Sequence, residues 1–177
     1  VKEIEQLKTA VQESVNKFIV SDSHLLKINA HEQTISHRIA LYLENFFNND
    51  SQPLHVDCEY NRREESIKKL ISNLSEFKGC CCNNRCKKVT EQKDKLVSLN
   101  IRPDIIVHSR GDNKNNKIII EIKKSALCNF DLFKLKEFTK MDNEYDYQLG
   151  CFIYFPEYKA EYKWFINGEE ESLSTSN

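Results

Sequence analysis

Ile101-Arg102-Pro103-Asp104-Ile105-Ile106-Val107-His108 and, beyond a polar turn, Lys117-Ile118-Ile119-Ile120-Glu121-Ile122-Lys123-Lys124 decide the fold. Both runs have the β-branched, apolar composition of strands, and Arg110-Gly111-Asp112-Asn113-Lys114-Asn115-Asn116 between them is rich in turn residues. Side chains alternate along a strand, so Glu121 and Lys123 share one face while Ile118, Ile120 and Ile122 point to the other. A turn centred near Asp112 and Asn113 pairs residues whose numbers sum to 225, which sets Asp104 opposite Glu121. Cross-strand partners have Cβ atoms roughly 4.5–5.5 Å apart. Two carboxylates that close repel, and one takes up a proton unless a cation lies between them. Oxygen ligands at this spacing suit Mg²⁺. An Asp, a Glu and a Lys on a solvated hairpin face is the ordinary alternative, since structural ion pairs give the same pattern. Against it, the strand around Glu121 is strongly apolar, and Pro103 stands at a strand start, where its missing N–H costs little.

The rest of the chain supplies helices for the faces of that sheet. Ile4, Leu7, Val11, Val15 and Phe18 recur at helical spacing up to Ser21-Asp22-Ser23, and Ile35, Ile39, Leu43, Phe46 and Phe47 form a second stripe that stops at Asn48-Asn49-Asp50-Ser51. Leu54, Val56, Cys58 and Tyr60 alternate with polar residues as in a strand. Ile67, Leu70, Ile71, Leu74 and Phe77 predict a third helix capped by Gly79. Residues 79–99, with a cysteine cluster and many lysines, read as a loop or insertion. A helix over 129–141 presents Leu132, Leu135 and Phe138, and aromatic strands near 147–155 and 161–166 close the fold. This order predicts an α/β domain (α+β, with a mixed central sheet flanked by helices).

The 177 residues carry 26 Lys and Arg against 27 Asp and Glu, so any polyanion site is a local patch on a nearly neutral body. Four Gly and three Pro exclude collagen and low-complexity disorder. Seven cysteines, three of them consecutive, predict free thiols in a reducing cytoplasm rather than a disulfide scaffold. No signal-peptide pattern and no apolar run of about 20 residues is present, so no membrane partner is expected.

Pro103-Asp104 followed by Glu121-Ile122-Lys123 resembles the bipartite signature of the PD-(D/E)XK phosphodiesterase superfamily, and the element order over 29–167 is similar to its restriction-endonuclease-like core. The expected organisation is a helical arm over 1–28, the nuclease domain that the resemblance implies over 29–168 with a Cys- and Lys-rich insertion near 79–99, and a polar tail over 169–177. It implies a divalent-metal-dependent endonuclease, a hydrolase of DNA phosphodiester bonds that uses Mg²⁺ or Mn²⁺. Asp104 and Glu121 would hold the metal, Ile122 would add its backbone carbonyl, and Lys123 would assist the attacking water. RNA is an alternative substrate, and a fold that binds DNA or assembles with partners without cutting is the alternative from another class. Cutting two strands often needs two sites, so the expected partners besides DNA include a second copy or a larger defence or repair complex.

Glu32 shares a helix face with Ile35, Ile39 and Leu43. It is either a further acidic residue of the metal site, as the resemblance implies, or the closing residue of an Asn29-x-x-Glu32 capping box. Asp57, Glu59 and Arg62 are accessory candidates, with Asp57 and Glu59 on one strand face; the alternative is an edge strand's polar face. His37 and Arg38 read as structural partners of carboxylates. Lys124, Lys134 and Lys136 are candidate contacts to nucleic-acid phosphates. Cys80, Cys81, Cys82 and Cys86 have one pair at zinc spacing but no second pair to complete a tetrahedron, so the cluster is expected to be dispensable.

Overall fold

A computed structural model of the chain describes residues 2–48, 54–63, 66–67, 69–73, 96–111, 115–141 and 143–171. The helices are α1 (Lys2–Asp22), α2 (His24–Lys27), α3 (Glu32–Phe47) and α4 (Asn129–Phe138). The strands are β1 (His55–Cys58), β2 (Arg62–Arg63), β3 (Ser66–Ile67), β4 (Lys69–Asn73), β5 (Leu96–Asn100), β6 (Ile105–His108), β7 (Ile118–Lys123), β8 (Leu149–Tyr154), β9 (Glu161–Ile166) and β10 (Glu169–Glu170). Six of them form one sheet in the order β1-β6-β7-β8-β9-β10. All neighbours are antiparallel except β7 and β8, which α4 joins as a parallel pair. The molecule is therefore α+β, a mixed sheet flanked by helices.

Alternation along the strands divides the core in two. Ile105, Val107, Ile118, Ile120, Ile122, Leu149, Cys151 and Ile153 pack against α1 and α3. Ile106, Ile119, Phe152 and Phe165 pack on the opposite face against Phe130, Leu135 and Phe138 of α4. Gly150 lies under α4, where an added Cβ would come within 3.1 Å of both Thr139 Cγ2 and Phe165 Cβ. That close approach keeps α4 against β7 and β8, and so sets the depth of the side chains between them.

Three expectations need correction. Among the described residues the third helix is absent: residues 69–73 form β4, paired antiparallel with β5 from Lys69↔Asn100 to Asn73↔Leu96. The apolar spacing mimicked a helix, but a distant strand supplies the pairing, a tertiary effect that local periodicity does not carry. Leu74, Phe77, Gly79 and the Cys80–Cys86 cluster lie outside the described residues. Secondly, no break in the core separates an arm at residue 28: Leu7, Val11, Val15 and Phe18 of α1 are buried in the same cluster as α3 and the sheet. Thirdly, the expected tail begins as structure. Glu169 and Glu170 pair with β9, and Glu171 bonds Lys8 of α1 at 2.7 Å. Among the described residues, no helix is long and apolar enough to cross a membrane.

Candidate active site

The register of the central hairpin is Ile105↔Ile120, Ile106↔Ile119 and Val107↔Ile118. Every pair sums to 225, and one step further Asp104 faces the end of β7. There its Oδ2 accepts the backbone N–H of Ile122 at 2.7 Å. Glu121 and Lys123 project from the same side of β7 as Ile119, beneath α4. Glu121 is 2% exposed, and burial raises its carboxyl well above the usual range, with the Lys134 ammonium pulling it back and Asp131 and Asp104 pushing it further up. Asp104 is raised by the same cause, burial, against the Ile122 N–H and the ammoniums of Lys123 and Lys134.

The cations come from two elements. Lys134 of α4 is buried and lies 2.7 Å from Glu121 Oε1 and 2.7 Å from Asp131 Oδ1. Lys123 Nζ stands 3.2 Å from Glu32 Oε2, 3.1 Å from the Ile122 carbonyl and 3.4 Å from Asp131 Oδ2. Burial opposes the charge of Lys123, but Asp131, Asp104, Glu32 and Glu121 outweigh it and hold its pKa above the ordinary lysine value. Lys123 is thus an ammonium at neutral pH, a donor and a positive charge rather than a base.

Glu32 is not a capping residue. His31 is the N-cap of α3 and accepts the Gln33 N–H at 3.4 Å, while Glu32 reaches out to Lys123 and to the Lys124 N–H at 3.4 Å. Asn29, in the left-handed region at φ 55°, turns the chain into α3 and accepts Lys124 Nζ at 2.6 Å through Oδ1. Helix α3, the end of β7 and α4 therefore converge on one place.

Other candidates fall elsewhere. Asp57 bonds His108 Nε2 at 3.0 Å and Arg110 Nε at 2.8 Å, an ion-paired edge of β1 and β6 with no contact to the cluster among the described residues. Glu59 does not share its strand face, because β1 ends at Cys58 and Glu59 takes φ 50°. Its carboxylate accepts Gln33 Nε2 at 2.6 Å and lies 3.5 Å from Arg102, on the rim beside α3. Arg62 lies in β2, and its side chain is outside the described set. Lys134 is no phosphate contact, because two buried carboxylates already hold it under α4. Lys136 is half-buried on α4, and Lys124 with the exposed Arg102 stays on the rim. Arg38 ties α3 to α1 through Asp22 at 3.0 Å and through Tyr42.

Burial works against the Asp57 charge, but Arg110 and His108 outweigh it and depress its pKa. A carboxyl whose pKa is lower in the folded than in the unfolded chain adds stability above the unfolded value, and that stability is lost as pH falls through the folded one. Asp57→Asn is therefore expected to melt below the parent protein at pH 7, with the gap closing towards pH 3 in a series of thermal melts.

Asp131 escaped the sequence reading. Its signal was an acid and a base three residues apart on the inward stripe Phe130, Asp131, Lys134, Leu135 and Phe138. Four carboxylates (Glu32, Asp104, Glu121, Asp131) meet two ammoniums (Lys123, Lys134), leaving two formal negative charges when all are ionised. Among the described residues, no three Asp, Glu, His or Cys side chains are already disposed to hold one metal ion. The donor chemistry fits a hard divalent cation, because the donors are oxygens and a cation beside Asp104 and Glu121 would favour the ionised forms that burial opposes. Asp104 and Glu121 each have one oxygen engaged, by Ile122 N–H and by Lys134. Searches against protein-family models, curated proteins and solved structures find no match to the chain.

Proposed function

We propose that the chain is a divalent-metal-dependent nuclease, hydrolysing DNA phosphodiester bonds at the cluster where β7 ends. The observation that carries this reading is the meeting of Glu32 from α3, Asp104 from just before β6, and Glu121 and Lys123 from β7 around one place. Asp104 and Glu121 are the residues that would hold Mg²⁺ or Mn²⁺, with the Ile122 carbonyl beside them. When bound, such an ion supplies Lewis-acid polarisation of a phosphoryl oxygen. Lys123, held as an ammonium, donates hydrogen bonds to a water or phosphate oxygen and offsets charge developing there. Glu32 steadies Lys123 from the α3 side. Lys124 and Arg102, on the rim, are suited to contact the flanking phosphates of a strand. DNA as the substrate, in preference to RNA, rests on the resemblance.

Incubation of supercoiled plasmid with the protein tests this. Nicking is expected with Mg²⁺ or Mn²⁺ and none with EDTA, and Asp104→Asn, which keeps an acceptor for Ile122 N–H, should not cut. Binding without cutting in the presence of metal would overturn the reading in favour of a non-cleaving module, and cutting of RNA alone would move the substrate.

A further inference from the structure

The two lysines and three of the carboxylates form an unbroken alternation of charge across three elements. It runs from Glu32 to Lys123 (3.2 Å), Lys123 to Asp131 (3.4 Å), Asp131 to Lys134 (2.7 Å) and Lys134 to Glu121 (2.7 Å). We propose that Asp131 is a positioning residue of the active site: its carboxylate, shared between Lys123 and Lys134, fixes the Lys123 ammonium over the reacting phosphate. The inference rests on the nuclease reading and adds to the signature strand a helix that the signature does not include.

Three observations carry it. Asp131 is 5% exposed, far too buried for a plain helix-start acid whose favourable interaction with the helix dipole needs no burial. Its Oδ2 is buried and lies 3.4 Å from Lys123 Nζ without making a hydrogen bond to it, while the Cys128 thiol donates to the same carboxylate. The approach to Lys123 contributes an attraction in a definite direction while leaving the lysine's protons for other acceptors. The i,i+3 partner, Lys134, holds the other oxygen, so the carboxylate cannot rotate away without breaking a buried ion pair. Lys123 is also restrained from the opposite side by Glu32 and by the Ile122 carbonyl. A flexible four-carbon side chain is thereby brought to one place, the preorganisation that electrostatic catalysis requires.

The test compares Asp131→Asn, Asp131→Glu and the remote ion-pair variant Asp57→Asn. In single-turnover cleavage of a plasmid with Mn²⁺, Asp131→Asn should be slower by roughly 10–100-fold, as for loss of an outer partner of a site residue, with DNA affinity unchanged. Asp131→Glu should recover part of the rate, and Asp57→Asn should lose stability but cut at the parent rate. A double-mutant cycle of Asp131→Asn with Lys123→Gln, read by urea unfolding, should show non-additivity. Additive stabilities, or a single-turnover rate for Asp131→Asn within twofold of the parent, would overturn the positioning role and leave the nuclease reading intact. A parent protein that cuts neither DNA nor RNA with metal would remove both.

Discussion

Lys134→Ala is expected to be the most destabilising single change in the site, at about 3–5 kcal/mol, the range for removing one partner of a buried ion pair. Lys134 is 7% exposed and its ammonium is divided between Glu121 and Asp131, themselves 2% and 5% exposed. Without it, two carboxylates remain under α4 with Lys123 as their nearest cation. Their cheapest response is to bind a proton. The folded state then holds more protons than the unfolded chain, so stability falls as pH rises. The deficit measured by urea unfolding should accordingly be larger at pH 8 than at pH 5. Millimolar Mg²⁺ should narrow it, since a ligand that binds only the folded state stabilises it by mass action. The variant Glu121→Leu, Asp131→Leu, Lys134→Leu should be more stable than Lys134→Ala and close to the parent, because apolar packing frequently matches a buried ionic cluster. It should also be inert towards DNA. A Lys134→Ala protein as stable as the parent would mean that Glu121 and Asp131 are wetter than their burial indicates.

That contrast explains which parts of the molecule were readable from sequence. The register of β6 with β7 was legible because a short polar turn joins two apolar strands, and slipping by one residue would turn Glu121 and Lys123 into the apolar core under α1 and α3. The same arithmetic carries Asp104 to the end of β7, where it accepts the Ile122 N–H. Glu32 was legible only as a choice between two roles. His31 decided it: by serving as N-cap, it leaves the glutamate to reach the end of β7.

What was not legible depends on contacts distant in sequence. Lys69–Asn73 carries apolar residues at helix-compatible spacing, and only its partner Leu96–Asn100 makes it a strand. Asp57 and Glu59 share a strand face on paper, yet the left-handed φ of Glu59, unusual for a glutamate, breaks the alternation after Cys58. Lys134 is the most instructive case. A lysine on a helix is ordinarily solvated, and a stripe drawn through Leu132, Leu135 and Phe138 leaves it outside. The true stripe is rotated towards Phe130 and Asp131, because Glu121 on the strand below offers an opposite charge that no inspection of the helix alone would find.

Lys123→Ala should reduce the single-turnover cleavage rate by roughly a hundredfold or more, as for loss of a preorganised electrostatic group, while DNA and Mn²⁺ still bind. The ammonium lies between Glu32 and Asp131 in the absence of substrate, so its full contribution appears only when a phosphate oxygen gains charge beside it, and it therefore acts on the transition state. Stability should change far less than in Lys134→Ala. Asp131 keeps Lys134, and the partly exposed Glu32 keeps the Lys124 N–H and water. Asp104→Ala should differ in kind, losing metal affinity so that its defect shrinks as Mn²⁺ is raised. Lys123→Arg should recover only part of the rate, because a planar guanidinium keeps the charge but spreads it over a rigid fork that cannot take the place of a compact ammonium. Single-turnover conditions keep product release from hiding the chemical step. If Lys123→Ala cuts at the parent rate, this strand is a structural ion-paired face, and the assignment of the cluster as a nuclease centre fails with it.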